Sequence, residues 1–412
     1  MYIVNRGTRL RARRCANWLT ADRVVPYSCA LLLLTIITLS AWAWTTHGFT
    51  TNSTARPGID FAVFWTASDM ILHGQAASIY DYRLFSHAEQ LRFGSYLYGN
   101  FLPWLYPPTM LLLVAPLAFV PFLPAFFLFF AGSFLCYVRA VDGLSRLRAQ
   151  LPQPRLAMLV VLAFPGVFIT VIAGQNSLLT AAIAALAIRQ LERRPVVAGL
   201  LVSLLAIKPQ LAILFPLVMI ATGAWRAFAA AAAGTTLFVF VSAAFGGRAA
   251  VQGFAEGMST VRDRIVEHGV VYWHVSPTPF AALRLAGASL SVAYAAHIAI
   301  ALLAAAATVA VWRRTRDLRL RGASFATATM LMSLYLWHYE LAWLGIAVFC
   351  FVAYGLDHGW MPGDQTVVVL AWLLPAFELI NRLTMWSQFG PVVLLAMLFV
   401  VIRRASLTPQ EP

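Results

Sequence analysis

Residues 24–55 contain no Asp, Glu, Lys or Arg, and comparable apolar runs recur along the rest of the chain. One bilayer crossing needs about 20 mostly apolar residues in a row, so this stretch can cross with residues to spare. Of the 412 residues, 61% are hydrophobic and only 11% charged, whereas soluble proteins carry about a quarter charged residues. Lipid must therefore cover much of the surface. The expectation is an all-α polytopic membrane protein, a bundle of about 10–12 transmembrane helices.

The net charge of +14 could point to nucleic acid, but 29 of the 30 basic residues are arginines placed in short clusters between apolar runs. No basic face with interleaved aromatics is present, which argues against nucleic acid. Arginines in short loops orient spans by staying on the cytoplasmic side. Arg6, Arg9, Arg11, Arg13, Arg14 and Arg23 put a basic tail, residues 1–25, in the cytoplasm ahead of a first span near 26–46. That run is too long for a cleaved signal peptide and reads as an uncleaved span. The four cysteines, Cys15, Cys29, Cys136 and Cys350, form neither a metal spacing nor a disulfide framework.

Further spans are expected near 108–138, 155–172, 177–190, 195–207, 209–222, 226–246, 291–312, 322–337, 340–355, 364–381 and 384–403, with a short tail at 404–412. Pro209, Pro216 and Pro375 interrupt some of them, and broken helices are tolerated where they line protein or aqueous cavities. This layout puts 21 basic residues inside and nine outside. Residues 26–403 form one transmembrane domain with two long outer loops, 47–107 and 247–290. In the first loop Phe61, Phe64, Trp65, Ile71 and Leu72 recur at helical spacing, predicting an amphipathic helix along the membrane surface.

The polar residues of interest fall on the outer side. Asp60 opens that helix, where a carboxylate is either a cap for backbone N–H groups or a desolvated general base. Lys208, the sole lysine, lies in Ala206-Ile207-Lys208-Pro209-Gln210 between two apolar runs. It either snorkels to the interface or holds a phosphate at a helix break. Arg262 and Arg264, among Asp263, Glu267, His268 and His274, read as a solvated helix or as a guanidinium fork for a lipid phosphate. His338 and Glu340, in Trp337-His338-Tyr339-Glu340, read as an intramembrane functional pair or as part of an aromatic belt. Gly174-Gln175-Asn176 makes a tight polar turn. No phosphate-cradling glycine loop, nucleophile elbow or zinc motif is found.

Together these motifs resemble glycosyltransferase family 87, mannosyltransferase-like membrane enzymes of the C-type glycosyltransferase superfamily. The resemblance runs over about 57–345. It rests on Gly58-Ile59-Asp60-Phe61, Ile79-Tyr80-Asp81, Tyr106-Pro107-Pro108, Pro116-Leu117, Gly174-Gln175-Asn176, Ala198-Gly199-Leu200 and Ile207-Lys208-Pro209. Ser276, Ala281-Ala282-Leu283-Arg284 and residues 333–340 complete it. In the late motif Leu334 stands where proline is common, and Glu340 where aspartate is frequent.

The resemblance implies a C-type fold, a polyprenyl-phosphate-linked sugar donor (mannose expected), a lipid or glycan acceptor, and inversion at the anomeric carbon. It makes Asp60 the base. Lys208, Arg262 and Arg264 are the expected phosphate ligands, and His338, Glu340, Gln175, Asn176 and Tyr106 the expected substrate contacts. The expected location is a bacterial inner membrane, with the site facing the periplasm among membrane lipids. No cofactor is expected, and no divalent metal, because no carboxylate pair is close in sequence. The competing reading is a secondary transporter or flippase, which broken helices and buried charges also suit.

Overall fold

The structure, a computed structural model, describes residues 17–48, 56–97 and 101–407. The basic tail up to Arg14 and Cys15 lies outside the described residues. No strand occurs among those described. Seven helices are long and apolar enough to cross a membrane, or eight if the bent pair Pro154–Leu162 and Pro165–Ala173 is one span. Four shorter apolar helices, Pro108–Phe119, Ser177–Gln190, Pro195–Ile207 and Pro209–Ala221, supply the remaining apolar segments. The protein is an all-α multi-pass membrane protein. A count near twelve holds only when these short helices are included.

Proline decides where many of the breaks fall. Pro108, Pro154, Pro165, Pro195, Pro209 and Pro279 each sit in the first turn of a helix, where the missing N–H costs nothing and the fixed φ suits the helix. The expected span 108–138 is split for this reason: Pro108–Val114 ends, and a new helix, Phe122–Ser145, follows Pro121. Pro375, by contrast, lies inside an unbroken helix, Asp364–Thr384.

Leu318–Met332 and Leu344–His358 lie at the centre, with every residue from Leu320 to Leu331 and from Leu344 to Gly355 buried. Helices apolar on all sides belong inside a bundle. Ala21–Thr45 is peripheral, with only Val24 and Ser28 buried. Trp225–Thr260 is also peripheral and runs through a kink at Gly247 (φ 72°). The segment expected as an outer loop from 247 therefore begins as helix, and Val261–Glu267, Val270–Val275 and Pro279–Leu285 continue it in short turns.

The helix of the first outer segment, Ile59–Leu72, differs from expectation in its environment. Phe61, Ala62, Phe64 and Ala67 are fully buried, and Phe61 packs within 5.4–5.7 Å of the rings of Phe122, Phe126, Phe129 and Phe130. It is enclosed by the bundle instead of lying on the membrane surface. Its apolar residues face all directions, so no single stripe separates lipid from water.

The arginine-rich ends are gathered at one pole. Buried Arg321 holds Glu192 at 2.5 Å and the carbonyls of Trp312 and Thr315. Asp364, fully buried, pairs with Arg403 and Arg404. From that pole the 15 residues of Leu318–Met332 lead, over about 22 Å, to the segment carrying His338 and Glu340.

Candidate active site

Two glycines in the left-handed region bring the site together. Gly174 (φ 85°) closes Pro165–Ala173, its N–H bonding to Thr170 and Val171 carbonyls. Gly58 (φ 77°) opens Ile59–Leu72 and donates to the Ile172 carbonyl at 2.6 Å. A β-carbon on Gly174 would stand 2.6 Å from the Phe61 nitrogen and 2.9 Å from Gly58 Cα. Only glycine permits that approach, and it sets Gln175 beside Asp60.

Gln175 Nε2 donates to Asp60 Oδ2 at 2.8 Å, while its Oε1 accepts from the Tyr106 hydroxyl at 2.7 Å and from Lys208 Nζ at 3.4 Å. A lysine can only donate and a carboxylate can only accept, so Lys208 takes the amide oxygen and the amide nitrogen faces Asp60; the Tyr106 hydroxyl, able to do either, donates to the oxygen. The carboxylate therefore accepts from Gln175 and not from its own helix, which removes the capping reading.

Lys208 stands between Leu205–Ile207 and Pro209–Leu211 with φ −142° and ψ 72°. A residue preceding proline is driven out of the helical region, and the break turns the side chain inward. Its Nζ lies 2.8 Å from Glu340 Oε1, and both side chains are almost fully buried. The Tyr106 and Tyr339 rings flank the ammonium at 5.7 and 5.5 Å. It does not snorkel. Glu340 is the counter-ion that makes burial of Lys208 tolerable.

The segment bearing Glu340 is pinned from three sides. Tyr272 donates to the Leu334 carbonyl at 3.0 Å and accepts the Leu336 N–H at 2.9 Å. Thr170 Oγ1 donates to the Tyr339 carbonyl at 2.9 Å, and Tyr137 to the Ala342 carbonyl at 2.7 Å. His338 is buried, and its Nδ1 has no hydrogen-bond partner among the described residues. Asn176, also buried, reaches only Met110 Sδ at 3.6 Å with its amide nitrogen, and its oxygen is unpartnered. Gln175, Lys208, His338 and Glu340 are thus buried, while Asp60, Tyr106, Tyr335 and Tyr339 are half-buried.

Arg262 and Arg264 do not join this cluster. Both are exposed on the Val261–Glu267 turn, and Arg262 meets only Glu267, at 3.9 Å. Asp263, Glu267 and His268 there bring one ligand atom each within 4.8 Å of one another. Glu267 already accepts from Tyr294 at 2.7 Å, and Asp263 and His268 are exposed, so this trio makes a poor metal cage.

Two residues overlooked in the sequence matter here. Arg382, at the last turn of Asp364–Thr384, acts electrostatically on Asp60. Its signal was being the single basic residue of the late spans assigned to the outer side. Glu89 is fully buried, accepts the Leu102 N–H at 3.2 Å with one oxygen, and has no partner on the other. No motif marks it. Burial, with a contribution from the Asp60 charge, pushes its carboxyl up to about 8 against the Leu102 bond.

Asp60 itself is pushed up to about 6, chiefly by burial, with the Gln175 bond and the Lys208 and Arg382 charges pulling the other way. A carboxylate of that basicity, held by one oxygen and free on the other, can take a proton near neutral pH.

Family models match residues 104–336 to glycosyltransferase family 87, whereas no curated protein and no solved structure matches. The matched stretch exceeds half the chain and contains Tyr106, Gln175, Asn176 and Lys208; Asp60, His338 and Glu340 flank it. On this match, and on a membrane bundle whose buried polar cluster is assembled from those residues, the chain belongs to glycosyltransferase family 87.

Proposed function

We propose that this glycosyltransferase moves a hexose, mannose as first candidate, from a polyprenyl-phosphate donor to a hydroxyl of a lipid or glycan acceptor, with inversion. Asp60 accepts the hydroxyl proton as that oxygen attacks the anomeric carbon. The bond from the anomeric carbon to the phosphate oxygen breaks, and polyprenyl phosphate leaves with the electron pair. Lys208 and Arg382 supply the positive field that favours the developing phosphate charge. His338 Nδ1 and the Asn176 oxygen are free to meet sugar or acceptor hydroxyls. Arg262 and Arg264 are left outside this scheme because Arg262 meets only Glu267 and neither contacts Asp60, Gln175, Lys208 or Glu340. The cluster lies at the pole opposite the arginine-rich ends, which corresponds to the periplasmic face of a bacterial inner membrane under the positive-inside rule.

The observation that carries this reading is the single-sided grip of Gln175 on Asp60, which leaves one carboxylate oxygen open at a half-buried wall. Radiolabelled transfer from synthetic polyprenyl-phosphate mannose to membrane extract, with purified protein and a folded Asp60→Asn variant, tests it. Transfer lost in the variant is expected. Transfer retained by the variant removes Asp60 from the mechanism. A parent inactive with mannose, arabinose and glucose donors alike would sink the donor class.

A further inference from the structure

We infer that the hollow at the arginine-rich pole, remote from Asp60, binds the phosphate headgroup of an anionic phospholipid. Two cavities of about 280 and 600 Å³ open there and share Arg316 and Asp317 in their walls. Together they are lined by eight arginines against two carboxylates. Orientation by retained positive charge needs only basic residues near the span ends. It does not need them gathered around a concavity.

The arginines there divide into two kinds. Four are engaged: Arg319 with Asp317 and Asp357, Arg321 with Glu192 and backbone carbonyls, Arg313 with the Ala221 carbonyl and Arg314 with that of Ser406. These bonds also occupy both acidic groups of the walls. The guanidinium groups of Arg146, Arg189, Arg193 and Arg316 have no hydrogen-bond or ion-pair partner among the described residues, so these four face the smaller cavity unneutralised. Two local features shape this wall. Arg146 takes a left-handed backbone (φ 57°), a costly conformation for a residue with a side chain. Arg189 lies across Gly143, where an added β-carbon would stand 2.4 Å from its Nη1. Guanidinium forks match phosphate oxygens in pairs, and basic pockets between spans on the cytoplasmic side suit anionic headgroups.

The surroundings favour a lipid over a free anion. Ala221 and Thr222 line the larger cavity, and the helix ending there, Leu214–Ala221, exposes Leu217 and Ile220. An acyl chain can lie along that face while its phosphate sits among the arginines.

The test uses full-length protein in a neutral detergent, reading the unfolding midpoint during titration with short-chain phosphatidylglycerol, phosphatidylcholine or inorganic phosphate. Phosphatidylglycerol is expected to raise the midpoint saturably and phosphatidylcholine to leave it unchanged. The triple variant Arg189→Gln, Arg193→Gln, Arg316→Gln is expected to need about a hundredfold more phosphatidylglycerol. A charge-matched control, Arg155→Gln, Arg194→Gln, Arg226→Gln, removes arginines outside the cavities and should keep the parent response. Arg189→Gln alone should weaken the response about fivefold, and it decides the matter if the triple variant does not fold. Equal responses to the two lipids, equal loss in the control, or an unaffected Arg189→Gln would each overturn the proposal. Saturation by inorganic phosphate at the same concentration would overturn the lipid assignment.

Discussion

Replacing Gln175 with Met keeps the volume of the side chain and deletes its bond to Asp60. A hydrogen bond to a charged group contributes about 1.5–3 kcal/mol, and one pKa unit corresponds to about 1.4 kcal/mol. The Asp60 carboxyl, pushed up to about 6 with Gln175 in place, should therefore rise by a further one to two units, roughly, on this basis. The sign follows from the chemistry: a base works only when ionised, so raising its pKa moves the acid limb of kcat/KM toward higher pH. With a shift of about 1.5 units, transfer at pH 6.5 should fall about eightfold while at pH 9 it stays within about twofold of the parent. The assay is transfer at limiting donor across pH 5–9, with folding monitored in each buffer. A uniform loss at every pH would mean that Gln175 touches substrate and does not tune Asp60. An acid limb that stays in place, or moves downward, would refute the role of the Gln175 bond altogether.

Four further outcomes are expected. Lys208→Met leaves Glu340 buried without its partner and should cost about 3–5 kcal/mol, read as a lowered unfolding midpoint; adding Glu340→Leu should restore most of that stability but not transfer. Gly174→Ala should abolish transfer because its β-carbon meets Phe61 and Gly58, whereas Gly48→Ala, also at positive φ but with open space around it, should remain active. Arg382→Gln should fold normally, since the residue is exposed, yet raise the donor KM about tenfold, the lower range for a lost charge-assisted bond. Purified enzyme treated with EDTA should keep its rate within about twofold; abolition by EDTA and recovery with Mn²⁺ would show that a divalent ion takes part.

Much of the frame follows from short-range rules. Span-length apolar runs, prolines that open helices, and the residue before Pro209 driven out of the helical region all depend on neighbours within a turn or two. Lys208 at a helix break and Gly174 at a turn could therefore be read directly. Motif spacing also carried the family. The environment of each polar residue could not be read this way. Asp60 was open between cap and base, Lys208 between snorkel and ligand, and Glu340 stood as a departure from its family pattern. Those alternatives differ only in what lies across space: Gln175 sits 115 residues from Asp60, and Glu340 132 residues from Lys208.

The burial of Ile59–Leu72 and the exposure of Arg262 and Arg264 belong to the same class. Hydrophobic runs and backbone preferences are local, and so the sequence by itself determined that this chain is a helical membrane protein and where its helices break. Pairing of buried charges depends on which distant helices pack together, and close approaches such as Gly58 on Gly174 exist only once they have. Tertiary structure alone decided that one carboxylate, one amide and one buried ion pair form a single connected site.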